Sequence, residues 1–303
     1  MSITSVLPRT SQAIASRFSV LIGRIQPTES AVDRAGRRAA LIERRLEKAF
    51  SVRRFLRVGS FWKRTAIRDY SDLDLFVVVS RDDVRWGGGY VASTTLLGRV
   101  RDELQGRFPA TSGIRRDGQA VSVAFNGGGP GVDVVPAFFD APIAGGYPAY
   151  LIPDGSGGWL RTSPDVQKRY FDDEDTRCGG KLRRTVQLVK WWAQARAHSI
   201  PLLSHHLEVV MASVGPARVV DSYSTIVDAA FDVLLRRRGA AFNDPLGLSG
   251  RILAVRTEPQ REELVRATEH AAYHARAAVA AEDRGHLSEG IRQWRLVFEG
   301  FPP

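Results

Sequence analysis

The chain has 303 residues, 44% of them hydrophobic and 25% charged, with a formal net charge of +10 and a single cysteine, Cys178. That is the balance of an ordinary globular protein long enough for a two-lobed unit or two domains. It excludes an internal disulfide framework and a Cys-rich zinc ribbon, and with no apolar run of roughly 18 residues it holds no candidate membrane span.

Residues 1–28 carry Arg9, Arg17 and Arg24, several serines and no acid, a composition that fits either a leader peptide or a short helix over Ser11–Ile22. Thr28 is placed to cap a helix running from Glu29 to about Phe50. Its apolar positions Val32, Ala35, Ala39, Ile42, Leu46 and Ala49 step by three or four and make one buried stripe. Arg37, Arg38, Arg44, Arg45 and Lys48 fall on the opposite, solvated face.

Strand formers fill Val52–Val58 and Leu73–Val79, with Gly59-Ser60 at the end of the first. Asp82 and Asp83 open a polar loop, Gly87-Gly88-Gly89 breaks regular structure, and a helix follows over Ala92–Arg107. Ala120–Phe125 alternates strand formers, and Gly127-Gly128-Gly129-Pro130 turns it into a strand over Val132–Val135, a hairpin with a long loop. From Asp140 to Pro164 the chain is rich in Gly and Pro and reads as irregular connecting structure with room for a short hairpin. Beyond it helical periodicity dominates, over Lys181–Ala197, Leu203–Val214, Asp221–Arg238, Glu258–Asp283 and Ser288–Phe298. The fold class is therefore α/β (α+β), an α/β lobe over residues 1–160 and an all-helical lobe over 161–303.

Side chains alternate along a strand, so Asp72 and Asp74 point to one face while Leu73 and Leu75 point to the other, towards a core. Two carboxylates that close repel each other unless a cation lies between them. Mg²⁺ takes oxygen ligands of this kind, one or two carboxylates plus substrate phosphates. Gly59 permits close backbone approach, and Ser60 with neighbouring N–H groups supplies donors for phosphate oxygens. Thr65, Arg68 and Ser71 lie in the same loop. The parts read as a nucleoside triphosphate site.

Gly-Ser, a spacer, Asp-Leu-Asp on the following strand and then Val132-Asp133-Val134-Val135-Pro136-Ala137-Phe138 resemble the core of the polymerase-β-like nucleotidyltransferases, which use a third carboxylate on a later strand. The spelling VDVVPAF with GS…TAIRDYSDLDLFVV is similar to the narrower branch of cGAS/DncV-like enzymes (CD-NTases). The resemblance runs from about Pro27 to Arg251. It implies a catalytic lobe with a mixed sheet and a long N-terminal spine helix, a helical lobe completing the nucleotide pocket, and an active site in the cleft between them. It also favours the short first helix over a leader, and a cytoplasmic location.

The same resemblance makes Asp72, Asp74 and Asp133 the catalytic residues and metal ligands. Two Mg²⁺ (or Mn²⁺) ions per site would activate a sugar hydroxyl and stabilise leaving pyrophosphate. It implies phosphate contacts from Gly59, Ser60, Lys190 and Ser204, with His205 at the position where the family stacks an aromatic ring on the base. Glu208, Trp191 and Trp192 read as structural. His198, His205 and His206, without cysteines, have no convincing zinc spacing.

The implied activity is template-independent synthesis of cyclic di- or trinucleotide messengers from NTPs in antiphage defence, with a downstream effector reading the product. Alternatives are a linear oligonucleotide synthase, an adenylyltransferase acting on another acceptor, and a non-catalytic nucleotide- or RNA-binding relative. The arginines are dispersed rather than clustered, so no nucleic-acid activator and no membrane partner are expected. A monomer is the expected state.

Overall fold

A ladder of strand-forming residues organises the first half of the chain, and the computed structural model describes residues 9–106, 108, 111–216 and 219–303. Arg107, the expected end of one helix, and residues 1–8 of the basic leading segment lie outside the described residues. The seven-stranded sheet contains β1 (Val52–Val58), β2 (Leu73–Val79), β5 (Thr111–Asp117), β6 (Ala120–Phe125), β7 (Val132–Pro142), β8 (Pro148–Pro153) and β9 (Trp159–Thr162). Two-residue ribbons, β3 (Arg85–Trp86) with β4 (Gly89–Tyr90) and β10 (Phe242–Asn243) with β11 (Arg251–Ile252), stand apart from it. The sheet order is β1-β2-β7-β6-β5, with β8 continuing from β7 and β9 from β8. Only β2 and β7 run parallel, so the sheet is mixed.

One sheet face is packed by α2 (Glu29–Ala49) and α4 (Ser93–Gln105). Ala35, Ala39, Ile42 and Leu46 of α2 and Leu96, Leu97, Val100 and Leu104 of α4 join Leu73, Leu75, Val77 and Val79 in one buried cluster. The alternate residues Phe76 and Val78 join a second, smaller cluster with Leu56, Ala137, Tyr150 and Ile152. The two-residue period of β2 thus assigns Asp72 and Asp74 to the less covered face. Thr28 caps α2 as expected, its hydroxyl accepting from the Ala31 N–H at 3.2 Å.

The second unit is helical: α1 (Arg9–Ile25), α6 (Lys181–Gln194), α7 (Ser204–Val214), α8 (Tyr223–Arg237), α9 (Glu258–Asp283) and α10 (Leu287–Val297). Among the described residues it comprises Arg9–Gln26, Tyr170–Pro245 and Gly250–Pro303, and the sheet unit comprises Pro27–Arg169 and Leu246–Ser249. The division between the two units falls inside α5 (Pro164–Arg177). The first helix belongs with the helices because Ile14, Phe18, Leu21, Ile22 and Ile25 are buried in their core. Phe18 meets Trp294 edge-on at 5.0 Å and Phe301 at 5.1 Å, so the last fifty residues, silent in sequence, complete this core. No helix among the described residues is long and apolar enough to cross a membrane.

Arg38, expected on the solvated face of α2, is buried. Its guanidinium donates to the carbonyls of Pro130 (2.6 Å) and Gly128 (2.7 Å) and lies over the Phe125 ring at 4.5 Å. The helix face was read correctly, but the Gly-rich loop comes over it and its carbonyls need a donor. Arg45 is also only partly exposed and pairs with Glu103 of α4. Arg38→Ala should lower stability by about 1.5–3 kcal/mol, the usual worth of a charged hydrogen bond, read as an earlier thermal unfolding transition. An unshifted transition would show that the loop holds itself.

Candidate active site

Asp74 of β2 stands directly opposite Asp133 of β7 in the parallel ladder, and Val58 of β1 opposes Asp74 from the other side. Asp72, just before β2, is exposed, while Asp74 and Asp133 are half-buried. The hairpin after Phe125 thus delivers the third carboxylate beside the first two, as its sequence position required.

Each carboxylate is shaped by a neighbour. The Gly131 N–H donates to Asp72 Oδ1 at 2.6 Å. The Ser122 hydroxyl donates to Asp133 Oδ1 at 2.6 Å, from the position facing Asp133 on β6. Gly59 has φ +63°, a left-handed conformation, and a Cβ there would come within 1.8 Å of Asp74 Oδ2. A side chain at 59 would therefore occupy the carboxylate's own place. At Gly131 an added Cβ would lie 3.1 Å from Asp72 Oδ1 and 3.0 Å from the Val123 carbonyl. These two glycines let the backbone pack closely against the acids.

Ser60 sits half-buried in the short helix α3 (Gly59–Lys63), with its carbonyl accepting from Thr65 and Ala66. Thr65 is fully buried, and Ser71 is engaged in accepting from the Ile67 N–H at 3.0 Å. Both serve the shape of the loop. Burial pushes the Asp133 carboxyl above the usual carboxylate range; the Ser122 hydrogen bond opposes this, while the charges of Asp72 and Asp117 add to it.

An all-oxygen set of this kind suits a hard divalent cation. Among the described residues, however, no group of three or more His, Cys, Asp or Glu is arranged so that by itself it could hold a metal ion. The hydrogen bonds from Gly131 and Ser122 account for the directions in which Asp72 and Asp133 are turned. Magnesium sites of NTP-using proteins are completed by substrate phosphates and water and need only one or two carboxylates from the chain. The donor set fits that kind of site.

The remaining expected site residues lie in the helical unit. Ser204 and His205 are exposed in the first turn of α7, whereas His206 is buried with Nδ1 at 3.0 Å from the Ile252 carbonyl. Lys190, expected to contact phosphate, is instead 4% exposed, as is Glu208, and the two form an ion pair at 2.6 Å. The partner shown for it is a carboxylate. Trp192 packs in the core against Phe231, as expected of a structural tryptophan. Sequence reading missed Ser122, Gly131 and Arg38; only their positions opposite or beside the carboxylate strand distinguish them from any other Ser, Gly or Arg.

Two outcomes follow. Because the folded-state pKa of Asp133 is raised, stability is fully present below the ordinary Asp value of about 4 and falls as pH rises through the higher folded value. Asp133→Asn should therefore unfold at a higher temperature than the parent at pH 7, with the difference shrinking towards pH 4; equal transitions at both pH values would refute the burial argument. Lys190→Ala leaves Glu208 buried without this counter-charge and should cost about 3–5 kcal/mol, whereas Lys190→Met with Glu208→Leu should recover most of it. A near-neutral single variant in urea unfolding would show that the pair is not desolvated.

Residues 13–174, over half of the chain, match a family described as the Second Messenger Oligonucleotide or Dinucleotide Synthetase domain (SMODS). A probable cyclic nucleotide synthase of Bacillus cereus is 23% identical over 178 residues, covering 50% of this chain and 54% of that protein. A cyclic AMP-AMP-AMP synthase of Escherichia coli is 27% identical over 173 residues, covering 54% and 51% respectively. The chain thus spans about half the length of the curated relatives it matches. In fold it is similar to E. coli MS115-1 CdnC solved with ATP, with a TM-score of 0.70, 21% identity and coverage of 96% of this chain and 98% of that one.

Proposed function

Because the chain belongs to the Second Messenger Oligonucleotide or Dinucleotide Synthetase family of cGAS/DncV-like nucleotidyltransferases, we propose that it joins nucleoside triphosphates into cyclic di- or trinucleotides with release of pyrophosphate. The observation that carries this reading is the juxtaposition of Asp74 with Asp133 in adjacent strands, with Asp72 on the same strand face as Asp74 and the Gly59-Ser60 turn alongside. Two relatives named as cyclic nucleotide synthases and a similar structure holding ATP support it.

In this reading Asp72, Asp74 and Asp133 would hold Mg²⁺ or Mn²⁺. When bound, the metal neutralises charge on the attacking hydroxyl and the leaving pyrophosphate. Gly59 lets the triphosphate approach the backbone, and the Ser60 hydroxyl donates to its terminal oxygens. Asp133 would assist deprotonation of the attacking sugar hydroxyl by holding the ion that activates it. Ser204 and His205, exposed at the start of α7, serve the phosphate and the base. Each round links one nucleotide's hydroxyl to another's α-phosphate, and a final round closes the ring. The product is a messenger read by an effector in defence against phage, and the enzyme works in the cytoplasm without a nucleic-acid activator.

Incubation with all four labelled NTPs and Mg²⁺ or Mn²⁺, followed by phosphatase and nuclease digestion and mass spectrometry, tests the reading. Phosphatase-resistant products are expected, and Asp72→Asn with Asp74→Asn should reduce them to less than a few per cent of wild type without loss of fold. Long linear oligomers would replace the cyclic reading by a linear one, and AMP attached to another acceptor would overturn both.

A further inference from the structure

We propose that Ser122 is a positioning residue for this centre: its hydroxyl fixes Asp133 so that the carboxylate presents one oxygen to a divalent cation. The proposal rests on the nucleotidyltransferase reading above.

Four strands contribute an in-register row, Arg115 on β5, Ser122 on β6, Asp133 on β7 and Asp74 on β2. Directly opposed residues of paired strands share a sheet face. Ser122 therefore flanks Asp133 on one side while Asp74 flanks it on the other. The 2.6 Å separation between Ser122 Oγ and Asp133 Oδ1 is that of a charge-assisted O–H···O⁻ bond. Its strand neighbours Val121 and Val123 are buried in the core beneath the sheet, so Ser122 lies on the opposite face, half-buried. A serine there adds little to strand propensity, which favours β-branched and aromatic residues. What the position contributes is the hydroxyl.

Without it, Asp133 would stand beside the carboxylates of Asp72 and Asp74, whose repulsion favours rotation away from them. With Oδ1 occupied by the Ser122 proton, the group is held and its second oxygen is the one left to coordinate. Hydrogen-bond partners of metal-ligating groups orient them in this way, and removing one typically weakens metal affinity or activity by about 10–100-fold.

The test compares the full chain with its Ser122→Ala, Ser122→Thr and Asp133→Asn variants. Mn²⁺ binding is measured by the electron paramagnetic resonance of free Mn²⁺ in the presence of a non-hydrolysable ATP analogue, and kcat and KM are measured separately. Ser122→Ala should weaken Mn²⁺ binding and lower kcat by at least about tenfold, with KM for NTP changed by less than about threefold. Ser122→Thr, which keeps the hydroxyl, should restore both. If Ser122→Ala binds Mn²⁺ with a smaller loss while Asp133→Asn does lose affinity, the role of Ser122 is overturned and the metal reading stands. If Asp133→Asn binds Mn²⁺ like the parent, Asp133 is not a ligand and both fall. Should Ser122→Ala fail to fold by circular dichroism, Ser122→Cys, close in size but a weak donor, takes its place with the same expectations.

Discussion

Three like charges gathered on one side of a sheet are the constraint on which the sheet unit is built. Carboxylates in adjacent strands repel, and the parallel register of β2 with β7 leaves Asp74 and Asp133 no freedom to separate along the strands. The cost is carried by the cores on the two sheet faces. Leu73, Leu75, Val77 and Val79 lock β2 against α2 and α4, and Phe76 and Val78 lock it against the smaller cluster. A one-residue slip would exchange those faces, burying the acids and exposing the leucines and valines. The hydrophobic pattern that folds the strand is thus the same pattern that fixes the chemistry.

Local devices then shape the acids one by one. Backbone at Gly59 and Gly131 approaches so closely that a Cβ would collide with a carboxylate or a carbonyl. Arg38 reaches from α2 to the carbonyls of the loop that leads into β7. The loop has three consecutive glycines at positive φ and little stiffness of its own, so its path depends on this arginine. A helix on the far side of the sheet from the acids therefore takes part in their geometry through a single buried guanidinium.

Charge is buried in the helical unit as well, but with opposite logic. Lys190 and Glu208 compensate each other inside the packing of α6 and α7, a pairing whose removal on one side only is costly. Glu282 is buried too, and burial raises its carboxyl pKa, opposed by the hydrogen bonds it accepts from Ser224 (2.9 Å) and Trp294 (2.8 Å). In the sheet unit Asp72 is exposed and Asp74 and Asp133 are half-buried, whereas the helical unit closes Lys190, Glu208 and Glu282 off.

Much of this was legible in the residues. The limits of β1 and β2, the cap at Thr28, the placing of Asp133 beside Asp74 and the span of α9 follow from period, capping and turn chemistry, which act over a few neighbouring residues. Strand β5 was not legible, because only Ile114 among its described side chains is buried and TSGIRRD shows no alternation. Helix α5 was not legible either: it begins where the Gly- and Pro-rich region ends, and PDVQKRYFDDEDTR has few apolar residues to mark a stripe, although Pro164 and Asp165 at its start are ordinary first-turn residues. The burial of Lys190 and Arg38 was likewise out of reach, since each meets a group 18 or about 90 residues away. By itself the sequence determined which residues could carry the chemistry, because side-chain type and strand period are local properties. Only the tertiary structure decided which of those charges stay open to a ligand and which are spent on the protein's own interior, because that depends on what long-range packing brings within hydrogen-bonding distance.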